Sequence, residues 1–177
     1  LYCTDGSIVG TSGPITVLPG KISSFVLTGS GPVAAGERLE LRIAEAVDRF
    51  GNAASGVATV RLLTNGVSPH GFPPILNDIH VIDGEGAAGQ YLYRAGTNVL
   101  KAAVDSVARE YETAVLPGEP GRMDLVIPAT QFLGNPILGE ALLTMIDRFG
   151  NLKTDYDASV NPVIFSADHG SLLNGVL

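Results

Sequence analysis

The sequence predicts an all-β protein in which two β-sandwiches follow one another along the chain, the second incomplete. Residues 48–52 (Asp-Arg-Phe-Gly-Asn) return letter for letter at residues 147–151, and residues 17–20 (Val-Leu-Pro-Gly) return at residues 115–118. The offsets of 99 and 98 residues match the length of one small domain, so the chain is a tandem repeat. With 22 Gly and 11 Pro, the composition suits short strands joined by many turns.

The amino-acid composition restricts the class of protein and its partners further. A hydrophobic content of 45% with 16% charged residues supports packed cores and argues against disorder. The net charge of −7 comes without a basic cluster, so nucleic acid is not an expected partner. No apolar run approaches the roughly 20 residues of a membrane span. The chain begins at Leu1 rather than Met, which predicts a processed product or a fragment whose export signal would not be seen.

The first complete copy is predicted over residues 14–114. Residues 1–13 occupy the end-of-copy phase of the repeat, so they are expected to be the last strand of a preceding domain or a donor strand. Residues 38–43 alternate apolar and charged side chains, as in a strand with one wet face, and Glu45 interrupts the alternation and predicts a bulge. The other strands are expected at residues 15–18, 24–27, 57–63, 79–82, 91–93 and 98–107.

The positions of Gly and Pro predict the loops and turns that connect the strands of this copy. Residues 64–74 are predicted to be a Pro-rich loop, and residues 83–89 a glycine-rich turn. Residues 99–111 have a composition that permits a helix, but they lie where the closing strand belongs. About seven strands in roughly 100 residues, with turns every 8–12 residues, are typical of a β-sandwich.

The second copy is predicted over residues 115–177, with strands at 123–127, 141–146 and 163–165. Only 26 residues follow Asn151, whereas 62 separate Asn52 from Val115, so this copy lacks its closing strands. An incomplete sandwich exposes strand edges. Either the chain is cut from a longer array, which we favour, or another chain supplies the missing strand, with residues 1–13 as a candidate donor.

The repeated pentapeptide is predicted to be a rigid β-turn. Its Gly and Asn tolerate positive φ, its Asp can accept backbone N–H bonds, and its Phe can enter the core. The alternative is a calcium site, because hard cations prefer carboxylate and amide oxygens. The candidate ligands are Asp147, Asn151, Asp155 and Asp157. No other cofactor is expected.

Catalytic patterns are weak. Residues 84–89 (Gly-Glu-Gly-Ala-Ala-Gly), with Asp105 downstream, match a dinucleotide-binding fingerprint, but the helix that this needs would be too short, so a turn is favoured. Asp168 and His169, near Ser166 and Ser171, are triad residue types at positions that point to opposite faces of a strand. The three histidines share no ligand spacing. Cys3 is alone, so it is either a small buried hydrophobe or half of an interchain pair.

The chain resembles the bacterial immunoglobulin-like repeats of the invasin and intimin type, which also occur in large adhesins and surface-layer proteins. The resemblance lies in residues 46–52 and the following 56–60, and again in residues 145–151 and 163–166. It covers one whole repeat and most of another. It implies tandem immunoglobulin-like sandwiches with a stalk or adhesive role outside the cell, and it assigns no catalytic residue.

The expected function is therefore a non-enzymatic stalk, spacer or filament building block of a cell-surface or extracellular protein. Its expected partners are neighbouring immunoglobulin-like repeats or identical subunits, with a host or cell-surface ligand as a further possibility. One alternative is an extracellular filament subunit completed by a donor strand. Another is an accessory module of a secreted carbohydrate-active enzyme, although the chain has no Trp and few Tyr for a flat aromatic platform.

Overall fold

The computed structural model of the protein describes residues 2–4, 6–7, 9–128 and 142–164. Within these residues the chain is all β, as predicted, with twelve strands and no helix. The strands are β1 (Tyr2–Thr4), β2 (Val9–Thr11), β3 (Ser24–Gly29), β4 (Val33–Ala34), β5 (Arg38–Val47), β6 (Gly56–Leu62), β7 (Ile79–Val81), β8 (Gly86–Tyr91), β9 (Gly96–Val104), β10 (Val107–Leu116), β11 (Pro120–Val126) and β12 (Leu142–Asp147).

Strands β3 to β10 form two sheets, which we call the first sandwich. One sheet has the order β4-β10-β9-β6-β7 and the other β3-β5-β8, with β4 and β10 parallel and the remaining pairs antiparallel. Both sheets contribute to one hydrophobic core, an arrangement consistent with a β-sandwich. Every buried residue of this core lies between Ile22 and Val115 except Phe149, so the first sandwich supplies all of its core but one ring.

Strand β5 shows the alternation that the sequence predicts. Leu39, Leu41 and Ile43 are fully buried while the charged residues between them are exposed. The predicted bulge is confirmed at Glu45, whose φ is +55°. Between the pairs Ser24–Val47 and Val26–Ala44, strand β5 has one more residue than β3. This extra residue shifts the alternation of the strand, so that Ala46 is buried in the core.

The single closing strand predicted at residues 98–107 is wrong, because the structure has two strands there. Strands β9 and β10 pair along nine residues and are joined by a turn at Asp105 with φ of +51°. An Asp can adopt this left-handed conformation more readily than most residues. Residues 99–111 are accordingly a hairpin and form no helix.

Two predictions around residues 83–93 are also wrong. The turn is confined to Asp83 and Gly84, both with positive φ, and residues 86–91 form β8 instead of continuing the turn to residue 89. The short strand predicted at 91–93 does not form, because β8 ends at Tyr91. Small residues are used here for close approach: a Cβ on Gly86 would lie 2.3 Å from the carbonyl oxygen of His80.

The N-terminal segment differs from the prediction in two ways. Strands β1 and β2 pair as an antiparallel hairpin with exposed side chains, so Cys3 is exposed rather than a buried hydrophobe. Residues 12–20 form no strand, and the strand predicted at 15–18 is wrong because this segment has no strand partner among the described residues.

The second copy begins with a two-stranded sheet. Strand β11 pairs antiparallel with β12, as β3 pairs with β5, in agreement with the strands predicted near 123–127 and 141–146. The predicted strand at 163–165 lies partly outside the described residues, and its described part, Val163 and Ile164, is not among the twelve strands. Val115 ends the first sandwich rather than opening the second copy, because it lies in β10 and is buried in the first core. In the part of the chain described, no helix is long and apolar enough to cross a membrane.

Candidate functional site at the two aspartate turns

The repeated pentapeptide forms a tight turn closed by its aspartate; we call this unit a corner. In the second corner the Asp147 carboxylate accepts four hydrogen bonds of 2.8 Å: backbone N–H groups of Gly118, Phe149 and Asn151 donate three, and the Asn151 side-chain amide donates the fourth. The N–H of Gly150 also donates to the Asp147 carbonyl at 3.1 Å. This confirms the predicted β-turn.

The first corner repeats this network. The Asp48 carboxylate accepts hydrogen bonds from backbone N–H groups of Gly20 (2.9 Å), Phe50 (2.8 Å) and Asn52 (3.0 Å), and from the Asn52 side-chain amide. Gly51 and Gly150 have φ of +85° and +88°, which glycine adopts without steric cost. Each corner is thus tied to the Gly of its own Val-Leu-Pro-Gly motif, which explains why the two motifs recur together.

Both carboxylates are stabilised in the ionised form. Hydrogen bonds from the Gly20 N–H and the Asn52 side chain, followed by the other backbone donors, hold the pKa of Asp48 far below its usual range. Burial acts to raise the pKa of Asp147, but the combined hydrogen bonds of Asn151, Gly118 and Phe149 outweigh it, and the net pKa is lowered. At neutral pH the carboxylates of Asp48 and Asp147 are therefore ionised, and they accept hydrogen bonds rather than donate protons.

The second corner packs against the end of the first sandwich, and we call this contact the seam. The Phe149 ring lies 5.3 Å from that of Phe72 in an edge-on arrangement and 4.9 Å from that of Tyr93. The Arg148 guanidinium also lies over the Phe149 ring, 4.6 Å from its centroid. Phe149 is only 3% exposed and belongs to the core of the first sandwich. Such aromatic contacts add about 0.5–1.5 kcal/mol each to the free energy of burial.

Polar bonds fix the seam as well. The His70 N–H donates to the Phe149 carbonyl at 3.0 Å, and His70 Nδ1 lies 3.2 Å from the Arg148 carbonyl. The Asn151 side chain donates to the Tyr93 carbonyl at 2.8 Å and accepts from the Ala95 N–H at 2.9 Å. Asn151 therefore closes its own turn and joins the two copies at once.

The connection across the seam is short. Strand β10 ends at Leu116, and Gly118 already donates to Asp147, so Pro117 alone separates the first sandwich from the second corner. Proline has a fixed φ, which restricts this single connecting residue further.

Among the described residues the first corner makes no such contact. Phe50 is 72% exposed, and the described residues place only the Arg49 guanidinium over its ring, at 4.4 Å from the centroid. The prediction that the Phe enters a core is therefore confirmed for Phe149 and wrong for Phe50. The reason is that the core in question belongs to the preceding sandwich, not to the Phe's own copy.

The proposed calcium ligands are only partly brought together. Asp147 and Asn151 bond to each other, and both Asp147 oxygens already accept N–H donors. Asp155 forms an ion pair with Lys153, and Asp157 accepts hydrogen bonds from Ser159, which lower its pKa. Among the described residues no three His, Cys, Asp or Glu side chains are grouped as metal ligands. The calcium assignment stays a prediction.

The other sequence patterns fall elsewhere. Residues 86–89 of the glycine-rich run lie in β8, so the short helix of the fingerprint is absent, and Asp105 lies in the β9–β10 turn. His80 is an exposed residue of β7. Asp168, His169, Ser166 and Ser171 lie outside the described residues.

An open groove follows the seam, lined by residues 94–97, 114–117, 151, 152 and 154 together with Pro69. Arg94 is the one titratable side chain among the lining residues described. Sequence reasoning missed the side of the seam formed by His70, Phe72 and Tyr93. The signal in the sequence is that aromatic residues lie in Pro- and Gly-rich connections. Aromatic side chains in a connection indicate that the connection packs against something, because a fully solvated loop does not bury them.

Comparison with protein-family models, with curated proteins and with solved structures found no match to this chain. The resemblance to invasin- and intimin-type repeats therefore stays a prediction carried by the residues alone.

Proposed function

We propose that this chain is a non-enzymatic structural segment, in which immunoglobulin-like sandwiches in series form a stalk or spacer of a cell-surface or extracellular protein. Residues 14–116, which end with β10, supply one complete unit, and the residues after Pro117 supply part of a second. The observation that supports this function best is the seam, because a sequence element repeated in each copy is used to join one copy to the next. A repeat that carries its own joint is suited to serial extension.

The geometry of the seam favours a stiff joint over a flexible tether. Phe149 contributes to the core of the preceding sandwich, Asn151 bonds across the boundary, and one proline separates the two sides. Domains held only by a flexible linker move independently by default, and a buried hydrophobic contact of this kind opposes that motion. Stiff joints give a serial array its reach.

The experiment is small-angle scattering of the intact chain beside the Phe149→Ala variant. The stalk hypothesis predicts an elongated particle for the intact chain, monomeric over a wide concentration range, and a broader distribution of shapes for Phe149→Ala. A compact particle, or one whose shape is insensitive to Phe149, contradicts it.

The filament alternative is favoured by one observation. Residues 1–13, the candidate donor segment, carry exposed apolar side chains at Tyr2 and Val9, as a donor strand would. Sedimentation of the intact chain distinguishes the two functions, because donor-strand subunits polymerise by strand addition whereas a spacer segment stays monomeric.

A further inference from the structure

We propose that the first corner is a docking surface for another repeat of the same kind, which covers Phe50 with an aromatic pair equivalent to Phe72 and Tyr93. This inference rests on the proposed function and names the partner of a surface that the described residues leave open. It concerns residues 49–52 together with the exposed Val17 beside the Val-Leu-Pro-Gly turn.

The first corner is already built for the contact. Asp48 holds residues 50–52 with the bonds that Asp147 uses for residues 149–151, and the N–H of each Asp donates to the carbonyl of its Asn at 2.9 Å. The groups that form the seam in the second corner are a Phe ring, a Phe carbonyl and an Asn side chain. The first corner presents the same three groups in the same local backbone.

Exposure of Phe50 has no explanation within its own sandwich. Its ring lies outside the core of the first sandwich, and its Arg49 partner occupies the place that Arg148 takes on Phe149. A polar residue would serve an isolated turn as well. An exposed aromatic on a rigid turn, identical to one that is buried in an interface, marks a contact surface.

A second motif behaves in the same way. Val115 is 2% exposed in β10 of the first sandwich, whereas its repeat partner Val17 is 85% exposed. The Gly20 N–H bond to Asp48 ties this segment to the first corner, as Gly118 is tied to Asp147. In both motifs the later occurrence is covered, at Val115 and Phe149, and the earlier occurrence is exposed, at Val17 and Phe50.

The phase of the repeat identifies the occupant. At the offset of 98 residues, β1 (Tyr2–Thr4) corresponds to residues 100–102 of β9, and β2 (Val9–Thr11) corresponds to residues 107–109 of β10. Both pairs are antiparallel hairpins. The segment leading into Val17 therefore has the order of the last hairpin of a sandwich. The occupant that fits is a repeat placed before the first corner, because the Phe72–Tyr93 face of the first sandwich is already filled by Phe149 of its own chain.

The test uses the absence of tryptophan from the chain, which makes a single Trp an unambiguous reporter. Phe50→Trp is introduced into the intact chain and into a fusion in which an added copy of residues 14–114 is joined directly to residues 17–177. The added copy contains every buried residue of the first core except Val115 and Phe149, and in the fusion Val17 and the Trp at position 50 take their places. We expect the Trp emission of the intact chain to be that of an exposed indole. We expect the emission in the fusion to shift to the blue, close to that of Phe149→Trp in the intact chain.

The matched control is the same fusion with Phe72→Ala and Tyr93→Ala in the added copy only, which should return the emission to the exposed value. A folded fusion whose Trp emission equals that of the intact chain overturns the proposal, as does a blue shift that survives in the control. The stalk hypothesis is tested by particle shape in small-angle scattering, not by Trp emission. Failure of the docking surface is therefore distinguishable from failure of the proposed function.

If circular dichroism shows that the added copy does not fold, a measurement between chains decides instead. The intact Phe50→Trp chain is titrated with an intact chain carrying Phe149→Ala, which lacks the ring that covers Phe72 and Tyr93 and whose fold is verified by circular dichroism. A saturable blue shift that is abolished by Phe72→Ala in the titrant supports the docking surface, and an unchanged emission over the titration overturns it.

Discussion

The two corners share five residues and one hydrogen-bond network, yet they have opposite environments. Phe149 is buried between Phe72 and Tyr93, and Phe50 extends into solvent. Asn151 is buried and bonded across the seam, whereas Asn52 is exposed. The comparison separates what the pentapeptide determines by itself, which is the turn and the ionised aspartate, from what only a neighbouring sandwich can add.

The largest effect should come from removing the two rings. Phe149→Ala is expected to destabilise the protein by about 3–5 kcal/mol, because a buried Phe leaves a cavity between two aromatic rings. Phe50→Ala should change the free energy of unfolding by no more than about 0.5 kcal/mol, as for other exposed positions. Denaturant unfolding of the two variants checks the difference, and equal effects would refute the contrast drawn here.

A somewhat smaller loss is expected for Asp147→Asn. The variant keeps the shape of the side chain but turns one acceptor oxygen into a donor facing the N–H groups of the turn. Hydrogen bonds to charged groups contribute roughly 1.5–3 kcal/mol each, so we expect a loss of about 2–4 kcal/mol in denaturant unfolding. The matched control is Asp157→Asn, an exposed acidic residue outside the corner, which should have little effect.

Stability should fall at low pH through these same carboxylates. The pKa of Asp147 is lower in the folded protein than its ordinary value of 3.8, and the pKa of Asp48 is lowered as well. The stabilisation is therefore fully present above about pH 4 and is lost as the pH falls below it toward the folded pKa. Melting temperatures between pH 7 and pH 2 check this, and the decline should be shallower for Asp147→Asn.

Gly36→Ala should cost about 1–3 kcal/mol, since Gly36 has φ of +85° and a Cβ there would lie 2.6 Å from the Phe149 ring. This cost combines the strain of a positive φ with the clash between the new Cβ and the Phe149 ring, and a double-mutant cycle separates the two. In the Phe149→Ala background the ring is gone, so the cost should shrink to that of the backbone conformation alone. An undiminished cost in that background would show that Gly36 does not contact the seam.

The smallest effect is expected from calcium. Both oxygens of Asp147 already accept N–H donors, which leaves the second corner little capacity to bind a cation. Calcium and a chelator should therefore leave the melting temperature unchanged. A rise of several degrees with calcium, lost in an Asp155→Asn and Asp157→Asn double variant, would instead establish the site that the sequence suggests.

Sequence reasoning recovered what is local. The repeat located both corners, the alternation of Leu39, Leu41 and Ile43 located β5, and the interruption at Glu45 located its bulge. It fails where small residues hide the period of a strand. Gly86 and Gly89 suggest a turn, but both lie in β8, where Gly86 allows the His80 backbone to approach and Gly89 leaves room for the Arg38 side chain. It also merged β9 and β10, because Asp105 is a weak turn signal without a glycine beside it.

The seam was out of reach for a different reason. Its two sides are about 56–79 residues apart in the chain, and neither His70 nor Tyr93 belongs to a recognisable motif. Identical letters also cannot report different neighbours, so nothing in residues 48–52 distinguished them from residues 147–151.

The one-residue connection at Pro117 has a mechanical consequence. An extended residue spans at most about 3.6 Å, so there is almost no slack to take up when the ends of the chain are drawn apart. Load on β10 passes at once to the Gly118–Asp147 bond and the aromatic contact behind it. Under tension this joint should keep its length until the contact breaks in a single step. A longer linker would instead extend gradually.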